Sequence, residues 1–419
     1  MRKNNFIFHD VRGSRWRRFK VLAALGTIVG IGALVLFIQA LLVSPPLDAP
    51  NSLQDLKKQI RTYAKQSRLA DPSESDKALS KQLARGTPAG NGAGSTHPSI
   101  APDIRAAFFM GWDEASFRSL ALHQDVLTHL CPEWLSFTSL EDGIREDEDA
   151  GLERLPASKS LKLMPVLTNL AGSKRIPEGV ESLAQADQKT RQAFVEQLAG
   201  HLHKIKAAGV VIDWEEIDPG LTGELTETLQ VIADELRAEG LETWLCVTMD
   251  AGFGAYDFER LAAHVDRFVA LLHDENGAGD SPGPLASQDW FDGWAKVISH
   301  CGSPQKWIAS LGCYGSDWEE GSSSAEQISF SDAMSRAGNS GAAGVQTGDP
   351  SYNGSFSYFY EGKGHEVWFL DAASFYNELQ EVRAYGFGGI AVNRLGVEDP
   401  AVWSILSSEL AGKPPQLGA

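Results

Sequence analysis

The stretch with the most chemistry in it is Gly209-Val210-Val211-Ile212-Asp213-Trp214-Glu215-Glu216-Ile217-Asp218. It begins as an apolar run rich in β-branched residues, the signature of a buried strand. It then carries four carboxylates within six positions before Pro219-Gly220. Asp213 and Glu215 are two apart, so on a strand they share a face, with roughly 6–7 Å between them along the backbone. At the rim of an apolar core, burial and mutual repulsion drive two such groups apart in pKa, leaving one acid protonated beside one ionised. Glu216 points the other way and reads as structural. The competing reading is a solvated loop with acidic decoration, and the strand context argues against it.

Those carboxylates need a scaffold. Eight apolar runs of strand length follow residue 104: 105–112, 127–138, 161–170, 209–215, 241–248, 268–273, 307–314 and 388–393. Helical patterns separate most of them. Phe194, Leu198, Leu202 and Ile205 form one stripe, and Leu225, Leu229, Ile232 and Leu236 another. Near-continuous apolar strands alternating with amphipathic helices predict parallel strands with helices outside. Eight such units predict an α/β fold, a (β/α)8 TIM barrel, with an open doubly wound sheet as the alternative. Between the last two strands, aromatic runs on either side of Glu361-Gly362-Lys363-Gly364 predict a small hairpin insertion, and residues 322–344 read as small and polar.

Catalytic side chains of such a barrel sit at the C-terminal ends of its strands. That rule adds Trp112 after the first strand, Asp250 after the fifth, His273 and Asp274 after the sixth, Tyr314 after the seventh and Asn393 after the eighth. Acids mixed with Trp and Tyr suit a carbohydrate, whose C–H faces pack on rings while its hydroxyls bond carboxylates. A divalent metal is the alternative for the same acids, but the spacing offers no His-rich or Asp-x-Asp ligand set, and no metal or cofactor is expected. A lone His on an apolar strand is as readily a satisfied core residue as a site residue.

Composition and charge set the context. The chain has 419 residues and a net charge of −18; residues 1–43 hold seven Lys or Arg against one acid, which leaves −24 for the rest. A body that acidic repels phosphate backbones and excludes nucleic acid as the ligand. Residues 21–43 carry no formal charge and are long enough to span a bilayer, and the basic residues 1–20 predict a cytoplasmic N-terminus. A cleaved signal peptide is the alternative, but its apolar region is normally shorter. Residues 44–102 then read as a stalk and flexible linker, 103–410 as the barrel and 411–419 as a disordered tail. Four scattered cysteines, Cys131, Cys246, Cys301 and Cys313, make no disulfide framework; three lie in apolar runs and read as buried thiols.

The segment 208–215 resembles the signature strand of glycoside hydrolase family 18, Asp-Gly-x-Asp-x-Asp-x-Glu. Residues 306–318 resemble that family's seventh strand, and 365–373 with 386–396 its closing helix and strand. Two subgroups are the most similar: the spore-lytic enzymes that act on peptidoglycan, and an extracytoplasmic module fused to a polysaccharide deacetylase and a family 2 glycosyltransferase. Residues 8–18 and 283–290 resemble the second specifically. The resemblance implies a single-pass protein of a bacterial inner membrane with a periplasmic barrel, acting on a β-linked N-acetylglucosamine polysaccharide, with a separately encoded deacetylase or glycosyltransferase as partner. It implies a retaining, substrate-assisted reaction in which the 2-acetamido oxygen attacks C1. Glu215 is then the general acid, later the base, and Asp213 orients the acetamido group. The chain departs from the pattern at Ala208 and Val211, which replace two aspartates, at His273 in place of a Tyr, and at Asn393 in place of a Trp. Those departures leave a polysaccharide-binding module as the alternative to a hydrolase.

Overall fold

The computed structural model describes residues 103–146, 161–322, 324–340, 342, 344–347 and 351–411. The segments read as basic tail, membrane span, linker and C-terminal tail lie outside the described residues. Among the described residues no helix is long and apolar enough to cross a membrane.

In chain order the strands are β1 (Ile104–Phe109), β2 (His129–Phe137), β3 (Ile144–Glu146), β4 (Lys162–Leu163), β5 (Val166–Thr168), β6 (Leu170–Ala171), β7 (Lys174–Arg175) and β8 (Gly209–Asp213). They continue as β9 (Glu242–Thr248), β10 (Arg267–Leu272), β11 (Trp307–Gly312), β12 (Tyr314–Glu319), β13 (Glu326–Ser329), β14 (Gly354–Tyr360), β15 (Lys363–Phe369) and β16 (Gly389–Asn393). Eight of them, β1, β2, β5, β8, β9, β10, β11 and β16, pair in parallel, and β16 returns to β1, so the sheet closes. The expected barrel is present.

Strand pleat decides what lies inside it. In β8, Val210 and Ile212, followed by Trp214, point outward into the layer shared with the helices. Val211 points inward, where it meets Val166, Trp244, Cys246 and Val269 in the barrel's own core. The helices bury the stripes the sequence predicts. Gln188–Lys204 buries Phe194, Leu198 and Leu202, and Thr222–Ala238 buries Leu225, Leu229, Ile232 and Leu236. Each fully buried Leu or Ile contributes about 1.5–3 kcal/mol. All four cysteines are unpaired, and Cys131, Cys246 and Cys313 are buried.

Three expectations need correction. The third strand is interrupted: Lys162–Leu163 and Val166–Thr168 are separate pieces around Pro165, which has no N–H to give a ladder. The seventh strand stops at Gly312, and Tyr314 opens a different sheet. The expected hairpin is present as β14 and β15, but it is only half of the insertion, a four-stranded antiparallel sheet ordered β13-β12-β15-β14 with the helix Phe330–Asn339 beside it. The stretch read as small and polar thus contains β13 and that helix. Ser329 and Asp332 close a capping box at its start, and Phe330, Ala333, Met334 and Ala337 pack on Ile328, Phe356, Val367 and Phe369.

Candidate active site

The C-terminal ends of the barrel strands open on a cavity of about 320 Å³. Asp213, Glu215, Asp250, His273, Asp274, Tyr314 and Asn393 all line it. Trp112 does not. Strand β1 ends at Phe109, and Trp112 follows in a turn in which Asp113 N donates to Met110 O at 3.1 Å. Trp112 is 68% exposed there, with the Arg394 guanidinium 4.9 Å from its ring centre and Arg394 itself held by Asp113 at 2.5 Å.

Asp213 is the last residue of β8 and Glu215 lies just beyond it. Glu216 takes a left-handed conformation, φ 60°, and is exposed, so the chain turns away directly after the pair. Glu215 is fixed by its own backbone: Asn169 Nδ2 donates to Glu215 O at 2.9 Å, and Glu215 N donates to Asn169 Oδ1 at 3.2 Å. Below them Tyr256 donates its hydroxyl hydrogen to Trp214 O at 2.9 Å.

Burial raises the pKa of Glu215, the negative charge of Asp213 raises it further, and Asp274 and Asp250 add to this; Arg175 opposes them, and the group ends at about 8. Burial also pushes Asp213 above the usual carboxylate range, opposed by Arg175, His273 and a hydrogen bond from Glu215. The two carboxyls titrate as a pair. At neutral pH Glu215 keeps its proton, and the charge of Asp213 is one reason it does. Asp213 Oδ1 is buried and has no hydrogen-bond partner among the described residues.

The opposite wall is a second polar cluster. His273 Nδ1 lies 3.0 Å from Asp274 Oδ2 and 3.2 Å from the Tyr314 hydroxyl, and its Nε2 lies 3.3 Å from Ser310 Oγ. Tyr314 donates to Asp274 Oδ1. Burial alone would raise the Asp274 pKa, but His273 and these two hydrogen bonds hold it below the usual range. Gly312 allows this cluster to form: a Cβ there would stand 2.7 Å from Leu370 Cδ1 and 3.0 Å from His273 Cβ. Asp250 is exposed, and its Oδ1 is already engaged by Thr248 Oγ1 and Gly252 N, each at 2.7 Å.

The family model of "Glycosyl hydrolases family 18" matches residues 106–396. The chain belongs to this family. As a family 18 member it is a glycosidase. A Bacillus subtilis (strain 168) protein described as uncharacterized glycosylase YvbX is 21% identical over 310 residues, covering 70% of this chain and 88% of that protein. The cortical fragment-lytic enzyme of Bacillus anthracis is 23% identical over 296 residues, 67% of each chain. Among solved structures, a chitinase from Chromobacterium violaceum ATCC 12472 superposes with a TM-score of 0.66 at 20% identity, over 74% of this chain and 99% of that one. The Bacillus cereus spore cortex-lytic enzyme SleL does so with 0.66 at 19%, over 73% and 74%. These likenesses agree with the closed barrel.

Several lining residues escape the strand-end rule. Glu133 lies inside β2, at a register shift between Glu133 and Leu135, and Gln327 reaches the family 18 cavity from the insertion strand β13. Arg175 comes from the small hairpin β6–β7 that follows β5, and it donates to Glu215 Oε1 while standing 3.7 Å from Asp213 Oδ2. A carboxylate within an apolar strand was a readable signal for Glu133. For Arg175 the only signal was a cation in a turn just past a strand end. Among the described residues no group of three His, Cys, Asp or Glu side chains is arranged to hold a metal.

Proposed function

We propose that the protein cleaves β-linked N-acetylglucosamine-containing polysaccharide by a substrate-assisted reaction that retains anomeric configuration. The observation that carries this reading is Glu215, which keeps its proton up to about pH 8, beside a buried Asp213 whose Oδ1 is unclaimed, both lining one cavity. The acetamido N–H donates to Asp213. That orients the acetamido oxygen toward C1 and stabilises the positive charge it develops. As the oxygen bonds to C1, the C1–O glycosidic bond breaks, its electron pair goes to the leaving oxygen, and the Glu215 proton follows. Glu215, now a carboxylate, takes a proton from the water that opens the cyclic intermediate. Asp274, His273 and Tyr314 hold the far side of the sugar, with Asp250 and Asn393 at the rim. Trp112, outside the cavity, offers its free face to an outer unit of the chain.

The cellular setting is part of the same proposal. The basic segment followed by uncharged residues 21–43 supports a single-pass anchor in a bacterial inner membrane with the barrel in the periplasm. A deacetylase or glycosyltransferase encoded separately would share the polymer. The polysaccharide-binding module is the second reading, favoured by Val211. That side chain sits fully buried in the apolar barrel core under Asp213, where the family pattern has a carboxylate.

The deciding experiment incubates the full chain with chitin oligomers, peptidoglycan and poly-N-acetylglucosamine and reads the products by mass. The expected result is released oligosaccharide from at least one polymer, reduced about 10²–10⁴-fold in Glu215→Gln, the span that general acid catalysis supplies. A Glu215→Gln protein as fast as wild type removes Glu215 from the mechanism. Tight oligomer binding without cleavage selects the binding module.

A further inference from the structure

The hairpin after β5 is built to reach the acid. Leu170 pairs with Arg175 and Ala171 with Lys174 around a turn at Gly172, where φ is 64°, and Ile176 N returns to Asn169 O at 2.8 Å. Its root, Asn169, is fully buried and grips the Glu215 peptide through both ends of its amide. Its last residue, Arg175, lies over both carboxylates. Nη2 donates to Glu215 Oε1. Nη1 stands 3.7 Å from Asp213 Oδ2, beyond hydrogen-bond range, and is buried with no other partner among the described residues. Among the described residues, Arg175 is the sole Lys or Arg lining the cavity, facing five carboxylates.

Building on the reading of Glu215 as the acid, we propose that Arg175 is a positioning residue that commits Oε1 of Glu215 to accepting a hydrogen bond and so places the transferable proton on Oε2. A carboxylic acid has one O–H. An oxygen facing a guanidinium N–H is the worse place for it, because two hydrogens would then compete for the same lone pairs. During transfer the Oε2–H bond breaks, its electron pair stays on Oε2, and the proton bonds to the glycosidic oxygen. The carboxylate left behind meets a charge-assisted hydrogen bond already in place at Oε1. Arg175 therefore favours the ionised product of the step over its neutral start, which is the condition for an interaction to accelerate it.

The groups around Glu215 make Arg175 hard to replace. Asp213 faces it from its own strand, Asp250 from the end of β9 and Asp274 from the end of β10. Glu133 from β2 lines the same cavity, as do Cys246, His273 and Tyr314, and the hydroxyl of Tyr256 lies beneath. His273 alone among these could add a positive charge, and it faces Asp274 and Tyr314.

The test uses the full chain as wild type, Arg175→Gln and Arg175→Lys. Carbon-13 labelled glutamate followed by NMR gives the Glu215 titration, its signal assigned by loss in Glu215→Gln, and turnover of chitin oligomers is followed against pH. The expected result in Arg175→Gln is a titration midpoint raised by about one unit or more, the size of effect a neighbouring opposite charge exerts. The alkaline limb of kcat/KM rises with it. kcat falls about tenfold or more with KM within twofold. Arg175→Lys keeps the charge, so its midpoint stays near wild type, while kcat still falls because one ammonium does not fix one oxygen. A midpoint unmoved in Arg175→Gln overturns the proposal. So does an Arg175→Lys protein with wild-type kcat, which also serves if the Gln variant fails to fold. If wild type cleaves nothing yet the midpoint rises in Arg175→Gln, the glycosidase reading falls and the hold of Arg175 on this proton stands.

Discussion

Glu378 gives the most quantitative prediction. It lies on the helix Ala372–Ala384, is 2% exposed, and neither carboxyl oxygen has a hydrogen-bond partner among the described residues. Burial and then the nearby charge of Asp371 push its pKa well above the usual carboxylate range. Folding therefore captures a proton. An unfolded Glu releases its proton near pH ~4.3. Below that value both states are protonated and no stability is lost to this group. As pH rises through the window between the unfolded and the folded pKa, stability falls by up to about 1.4 kcal/mol per pH unit. Glu378→Met removes the proton linkage and the unpaired polar group together, and that group alone costs about 1–3 kcal/mol. Glu378→Gln removes only the linkage. Urea unfolding of the full chain at pH 5, 7 and 8.5 measures both. The gain of Glu378→Met over wild type should be smallest at pH 5 and grow at each step, with Glu378→Gln rising in parallel below it. A gain independent of pH, or a Met variant less stable than wild type at pH 8.5, would show that this carboxyl finds partners and refute the reasoning. Glu378 also contributes to the raised pKa of Tyr314, so the readout reaches the cavity wall.

Three more predictions concern the cavity directly. Turnover by wild type should decline as pH rises through about 8, where Glu215 loses its proton. Asp213→Asn should lower kcat about 10²–10³-fold on oligomers and move that decline to lower pH, because a neighbouring negative charge is gone; a decline left in place would show that Asp213 does not set it. Gly312→Ala places a methyl group 2.7 Å from Leu370 Cδ1 and 3.0 Å from His273 Cβ. It should cost about 1–3 kcal/mol in thermal unfolding and raise KM more than it lowers kcat, since it displaces His273 rather than the acid; an unchanged KM would argue against a substrate contact at His273.

The barrel was legible because its strands are buried on both faces and so read as unbroken apolar runs, with helical stripes between them. The insertion was not, and for a physical reason. β13 buries one side chain in four, Ile328, and its helix fully buries only Ala333. Elements that half-wet, over so few residues, carry no usable period. They are specified by pairing of Asp317 with Glu326 and Gly315 with Ile328, contacts the chain makes with itself only once folded. The cavity shows the same division. Seven side chains named from strand ends meet there, because a barrel puts strand ends in one ring. Arg175 depends on a turn at Gly172 and on Asn169 beneath it, and Trp112 stays out of the cavity lining because β1 stops three residues short of it.

Val211 has one last consequence. With that aliphatic side chain beneath Asp213, flanked by Val166, Trp244 and Cys246, the catalytic pair stands on an oily floor. Valine side chains offer hydrogen ions no path downward, and the carboxyl and imidazole neighbours of the pair, Asp250, His273 and Asp274, line the cavity above them. Each hydrogen ion spent on a leaving sugar has to be refilled from above, by the same solvent that enters to finish the reaction. Reloading the acid and admitting the attacking water are then a single event at a single doorway.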